Sequence, residues 1–189
     1  MEIRVAKKSD NLNQVAQLIY ETDNYIYPAM SENKEQTIKI LIEMIKSNTI
    51  YNYNNCIIAI QDSQIVGLIV VLKPANSTSN YDKWLNSNKM CKHVIENYIL
   101  KCEENLQHNQ ISIICVCVKT EYRRQKIATQ MLYYLFNMFP NQHFQLDTLK
   151  TNLAAINLYK SVGFQIEEEH KGYNRFYQRK PICYNMKKF

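Results

Sequence analysis

Residues 111–164 constrain the chain most. Ile111-Ser-Ile-Ile-Cys-Val-Cys-Val118 is apolar enough, over the right length, for a buried strand. Tyr122-Arg-Arg-Gln-Lys-Ile-Ala128 then forms a basic turn that opens a helix, and the first N–H groups of a helix have no intrahelical acceptor. A helix start of that kind binds anions. Ile127, Met131, Leu132, Leu135, Phe136 and Phe139 continue as a helical stripe that Pro140 terminates. Residues 144–149 resume a strand, and Asn152 caps a second helix that ends at Gly163-Phe164.

These residues resemble the GNAT superfamily of N-acetyltransferases, and the resemblance runs more weakly along nearly the whole chain. The family's acetyl-CoA signature is Gln or Arg, two residues, Gly, one residue, then Gly or Ala, and it lies here on 123–128. Arg123 and Ala128 fit it, while Lys126 stands where glycine is usual. Asn152, Ala155, Leu158, Tyr159, Gly163 and Phe164 then follow at the family's spacing and in its order. The resemblance implies an α/β (α+β) domain spanning residues 1–189. Its sheet would be mixed, mostly antiparallel, splayed in the middle to admit acetyl-CoA and flanked by helices.

The 189 residues suffice for one domain with its own core. The opening Met-Glu-Ile-Arg precedes no apolar stretch long enough for a signal peptide or a membrane span, so the cytoplasm is the expected compartment. Six cysteines, at positions 56, 91, 102, 115, 117 and 183, show no paired spacing and read as free thiols. The formal charge of +6 comes from scattered lysines without a basic run or basic–aromatic repeat, a pattern that fits binding of a polyanionic cofactor better than nucleic acid. Monomer and homodimer both remain open.

Taken in order, residues 2–6 read as a first strand. Ser9 or Asp10 is the expected cap of a helix with Leu12, Val15, Ala16, Leu18 and Ile19 on one face. The aromatic stretch 20–28 reads as a loop broken at Pro28. Ser31 is the expected cap of a second helix that carries Ile38, Leu41, Ile42 and Ile45. Residues 56–60 and 65–72 flank Gln61-Asp-Ser-Gln64 as a hairpin, with Gly67 where the family's third strand often carries one. Residues 73–81 have the composition of a surface loop, and a helix with Val94, Ile95, Tyr98 and Ile99 on its apolar face should run on towards Leu106. The span 73–109 therefore reads as a helical insertion before the central strand. Residues 165–189 read as two closing strands around a turn near 172–181.

Acetyl transfer from a thioester to an amine needs a held pyrophosphate, a polarised carbonyl and a path for protons. Backbone N–H groups of residues 124–129, from Arg124 through Gln125, Lys126, Ile127 and Ala128 to Thr129, would face the diphosphate, with charge from Arg123, Arg124 and Lys126 beside it. The resemblance implies a bulge in the central strand that turns a backbone N–H to the thioester, and Cys115, Val116, Cys117 and Val118 are the matching positions. It further implies that Tyr159 protonates the departing thiolate and that Asn152 and Leu158 lie along the pantetheine arm. Cys115 and Cys117 share one strand face and read as small core residues, not an acyl-cysteine relay. The central strand carries no acid; the resemblance implies that the nearest carboxylates are Glu21 and Asp23, on the loop that should overhang the acceptor channel, as bases acting through water, with bulk solvent as the alternative. Glu167 to Glu169 reads as a solvated strand end. The four histidines show no ligand spacing, and no metal is expected. The acceptor is expected to be a small-molecule or peptide amine. The rival is a degenerate member that binds CoA or a protein partner without turnover, motivated by Lys126. A third reading, an RNA-directed acylating toxin, draws only on the positive charge.

Overall fold

The computed structural model describes residues 1–73, 79–86, 88–104, 109–171 and 182–189. Strands β1 (Glu2–Val5), β2 (Cys56–Gln61), β3 (Gln64–Leu72), β4 (Gln110–Val118), β5 (His143–Leu149), β6 (Gln165–Lys171) and β7 (Ile182–Lys188) form one sheet in the order β1-β2-β3-β4-β5-β7-β6. β4 and β5 run parallel, and every other neighbouring pair is antiparallel. The expected turn between β6 and β7 lies outside the described residues, as do Leu106 and most of the expected loop at 73–81.

Each face of the sheet carries its own core. On one side lie α1 (Leu12–Tyr20) and α2 (Lys34–Lys46), whose apolar stripes are buried as their spacing predicts. The caps differ from expectation: Asn11 and Asn33 fill them, accepting from Gln14 N and Gln36 N. Asp10 cannot serve because its two oxygens already accept from the Arg4 guanidinium at 2.7 and 2.8 Å. Ser31 is likewise engaged, its hydroxyl 2.7 Å from that of Thr37. The insertion covers the same side in pieces instead of one helix: α3 (Asp82–Leu85), α4 (Lys89–Val94), a π turn (Ile95–Ile99) and α5 (Leu100–Glu104). Trp84, Cys91, Val94, Ile95 and Ile99 join this core. Among the described residues no helix is long and apolar enough to cross a membrane.

The other face holds α6 (Ile127–Met138) and α7 (Leu153–Ser161), with Ile127, Met131, Leu132 and Leu135 buried against β2 and β3 residues such as Ile57, Val66 and Ile69. Gly67 sets the distance between α6 and the sheet. A Cβ there would meet Met131 Sδ at 2.7 Å, and Ala59 Cβ and Ile127 Cγ2 at 3.3 Å each. Gly67→Ala is therefore expected to destabilise the fold by about 1–3 kcal/mol through overpacking, read as a lower denaturant midpoint at unchanged slope.

Two features of β4 shape the site beside it. Val70 pairs with Cys115 and Val71 with Ile113, so Ile114 is an extra residue, a bulge. The alternation reverses there: Ile111 and Ile113 pack in the α6–α7 core, Cys115 and Cys117 in the α1–α2 core. Pairing with β5 covers Gln110↔His143, Ile111↔Phe144 and Ser112↔Gln145, after which the two strands part.

Candidate active site

The gap between β4 and β5 begins beyond Ser112 and Gln145, so residues 113–118 of β4 run on without a β5 partner. In an antiparallel strand half of the backbone groups point away from the paired neighbour. The groups on the β5-facing side of this stretch are therefore unpaired within the sheet, and the bulge falls at Ile114, one residue before the expected positions 115–118. Val116 and Val118 lean towards the α6–α7 side. Cys115 and Cys117 are buried on the other face, as their shared spacing suggested. Burial pushes the Cys115 thiol up to about 11 and that of Cys117 to about 12. A thiol held neutral in this way is a poor nucleophile. Cys115 Sγ instead lies 3.2 Å from the Tyr27 hydroxyl, which is itself 3.2 Å from that of Tyr51.

At the far end of β4 the basic turn is tied down by its own side chains. Arg123 Nε donates to Val118 O at 3.0 Å, and Gln125 Nε2 to Glu121 O at 3.5 Å. Arg124 and Lys126 take φ of 65° and 62°, the left-handed region. The helix therefore starts at Ile127, later than the sequence pattern suggests, because left-handed residues cannot belong to a right-handed helix. Left-handed residues in such a turn aim successive N–H groups to one side, a concavity suited to anions. Gln130 N makes the first capping-turn bond, to Lys126 O at 3.0 Å, leaving the N–H groups of Ile127, Ala128 and Thr129 without intrahelical acceptors. Arg123, Arg124, Gln125 and Lys126 are exposed around them.

Lys126 thus adopts the backbone conformation that the usual glycine would take. Left-handed φ costs a side-chain-bearing residue about 1–2 kcal/mol, and glycine's extra unfolded-state freedom offsets about 0.5–1 kcal/mol of any relief. Lys126→Gly is expected to leave stability unchanged or raise it by up to about 1 kcal/mol, which a denaturant melt reads. Weaker acetyl-CoA binding in the same variant would mark the Lys126 ammonium as a phosphate contact.

α7 carries Tyr159. Asn152 caps it through Oδ1, which accepts from Ala155 N at 3.2 Å. Gly163, at φ 98°, ends it, and Phe164 N returns to Tyr159 O at 3.0 Å. Tyr159 is thereby held at the last turn, 8% exposed, its ring 5.8 Å from that of Phe164, with Leu158 partly buried beside it. Burial raises its phenol well above the ordinary value.

On the α1–α2 side a cavity of about 440 Å³ opens at the same parting. Its wall includes Asp23, Lys101, Ser112, Asp147, Glu168 and His170. Of the two carboxylates expected to overhang the acceptor channel, Asp23 lines this cavity and its Oδ1 accepts from Tyr25 N and Ile26 N, 2.7 Å each. Glu21 does not line it; it ends α1 and sits 3.8 Å from Lys34 Nζ. Glu168, read from sequence as part of a solvated strand end, faces the cavity, while Glu169 bonds Lys150 at 2.7 Å. Asp147, His170 and Asn185 also line it, and none of them was expected from sequence. The alternation of β5 carried a signal, since Phe144 and Leu146 are core and Gln145 and Asp147 must face the other way.

Known proteins share this fold. The profile of the acetyltransferase (GNAT) family matches residues 17–164. A search among curated proteins gives no match. Of solved structures, an N-acetyltransferase from Staphylococcus aureus Mu50 superposes with a TM-score of 0.77 at 18% identity, over 99% of this chain and 100% of that one. Arabidopsis thaliana Naa50, in complex with the bisubstrate analogue CoA-Ac-MVNAL, gives 0.62 at 16% identity, over 100% and 97%. The ribosomal-protein-S18-alanine N-acetyltransferase from Escherichia coli gives 0.59 at 12% identity, over 99% and 92%. The family profile spans most of the sequence, and the fold is the one those structures share: the chain belongs to the acetyltransferase (GNAT) family.

Proposed function

We propose that this chain is an N-acetyltransferase that uses acetyl-CoA as co-substrate and a primary amine, of a small molecule or a peptide, as acceptor. When bound, acetyl-CoA supplies the acetyl group as an activated thioester. The residues fit it. The left-handed turn offers N–H groups from Arg124 to Thr129 for the diphosphate, with the exposed Arg123, Arg124 and Lys126 alongside. Val116, Cys117 and Val118 present an unpaired strand edge to the pantetheine arm, and Asn152 and Leu158 flank it from α7.

The carrying observation is the parting of β4 from β5 beyond Ser112 and Gln145, with the left-handed basic turn at the end of β4. Tyr159, buried on α7, is the acid in this reading. In the reaction an ammonium acceptor loses one proton, the nitrogen–carbon bond forms as the carbon–sulfur bond breaks, and the second proton leaves the nitrogen as the amide forms. Tyr159 gives its proton to the departing thiolate and is re-protonated from solvent. Asp23, or Glu21 through water, takes the proton on the amine side.

Calorimetry with acetyl-CoA, paired with an assay of free thiol release over a panel of primary amines, tests this. Binding together with amine-dependent thiol release is expected. Binding with no release on any amine would overturn the transferase reading in favour of a CoA-binding member without turnover. The feature that motivates that rival, Lys126, has a left-handed backbone and an exposed side chain at the turn.

A further inference from the structure

A single carboxylate is held at the point where the cavity meets the strand gap. Two residues on from the last β4–β5 pair, Ser112↔Gln145, stand the bulged Ile114 on β4 and Asp147 on β5, so Asp147 flanks the gap opposite the bulge. Its Oδ1 accepts from Asn185 Nδ2 at 2.9 Å and lies 3.3 Å from His170 Nε2. Asn185 is its register partner on β7, and His170 reaches it from β6 across that strand. The other ring nitrogen of His170 lies 3.4 Å from Lys171 O. Both ring nitrogens therefore face oxygen; Lys171 O can only accept, so Nδ1 donates there, and Nε2 donates to Asp147 in the protonated ring. Asn185 holds Oδ1 with the His170 ring against the same oxygen, and Oδ2 has no protein partner among the described residues.

The other acids of the cavity are less suited to meet a substrate at the gap. Asp23 stands on the loop after α1, held there by two backbone N–H groups, and not on either strand that borders the gap. Glu168 stands on β6, paired with Asn185, two strands away from the gap. A carboxylate already oriented by neutral or cationic donors makes short, strong bonds to an ammonium group. We propose that Asp147 anchors the primary ammonium of the acceptor in this cavity, with His170 and Asn185 as positioning residues that hold the carboxylate at the gap. The inference rests on the N-acetyltransferase reading of the site.

Steady-state kinetics of the parent chain, Asp147→Asn, Asp147→Glu and His170→Gln, with acetyl-CoA and a panel of ethanolamine, spermidine and a short free-amine peptide, tests it. Loss of a charge-assisted bond corresponds to a rise of about 10- to 100-fold in the amine KM of Asp147→Asn, with the acetyl-CoA KM unchanged and kcat within a few-fold. Asp147→Glu should recover part of that loss, and His170→Gln should raise the same KM by less, without touching the acetyl-CoA KM. An unchanged amine KM in a folded Asp147→Asn variant overturns the anchor. If the parent binds acetyl-CoA and releases no thiol with any amine, the transferase reading fails instead. The anchor is then decided by calorimetric titration of the same amines into the CoA-saturated parent and Asp147→Asn. Tighter binding by the parent sustains it, and equal heats or none overturn it.

Discussion

Replacing Tyr159 by phenylalanine is expected to lower kcat by about 10²-fold or more while leaving CoA affinity nearly unchanged, the scale of a lost general acid. The surroundings of the side chain decide this. Tyr159 is buried on the last turn of α7, where Gly163 ends the helix, and its ring packs in the core of that face. Burial disfavours phenolate, so the group stays protonated across the neutral and mildly alkaline range and is ready to donate. A developing thiolate in the gap would supply the driving force. The fold should tolerate the change, because the ring packs with Phe164 and a phenylalanine fills the same space. The pH profile adds a second readout: with the raised phenol, the parent should show no loss of rate on the alkaline side attributable to Tyr159 below about pH 10. Full turnover by Tyr159→Phe at neutral pH would reduce Tyr159 to a packing residue and leave a site that works by proximity.

The second large effect is expected at the turn. Arg123→Ala combined with Arg124→Ala should weaken acetyl-CoA binding by about 10- to 100-fold at low salt, since each bond between a guanidinium and phosphate contributes about 1.5–3 kcal/mol at best and solvent screens exposed charges. The two residues act differently. Arg124 is exposed and contributes charge, while Arg123 also ties the turn to β4 through its bond to Val118 O. The double variant should therefore lose both affinity and its dependence on ionic strength. Titrations at two salt concentrations separate the terms: a parent whose affinity ignores salt, or a double variant that binds as tightly as the parent at low salt, would remove the diphosphate from this turn.

Much of this arrangement is legible in the sequence. The buried run 111–118, the α6 stripe, the Asn152 cap and the glycine stop at Gly163 all stand where the residue pattern puts them. The rest escaped for physical reasons. The bulge at Ile114 leaves no mark in a run that is apolar on both faces, because reversing the alternation there changes which core a residue joins without changing its character. Left-handed Arg124 and Lys126 carry no glycine to announce them. The caps of α1 and α2 shifted because Asp10 is drawn to Arg4 and Ser31 to Thr37, partners that local spacing does not reveal. Asp147, Asn185 and His170 come from three strands and meet through the pairing β5-β7-β6, a long-range order that no local pattern encodes. Glu21 and Asp23 are separable only in the folded loop, where one faces Lys34 and the other the cavity.

The three pairs that join β4 to β5 make the sheet two plates sharing a short hinge. One plate, β1 to β4, is backed on both sides by helices and carries most of the buried apolar surface; the other, β5 to β7, ends in the exposed, charged edge of β6. A molecule lying in the gap would brace both plates along the stretch where the protein's own backbone does not. Occupancy and rigidity are then coupled, because a ligand that binds the folded chain in the wedge adds contacts between the plates where the strands make none.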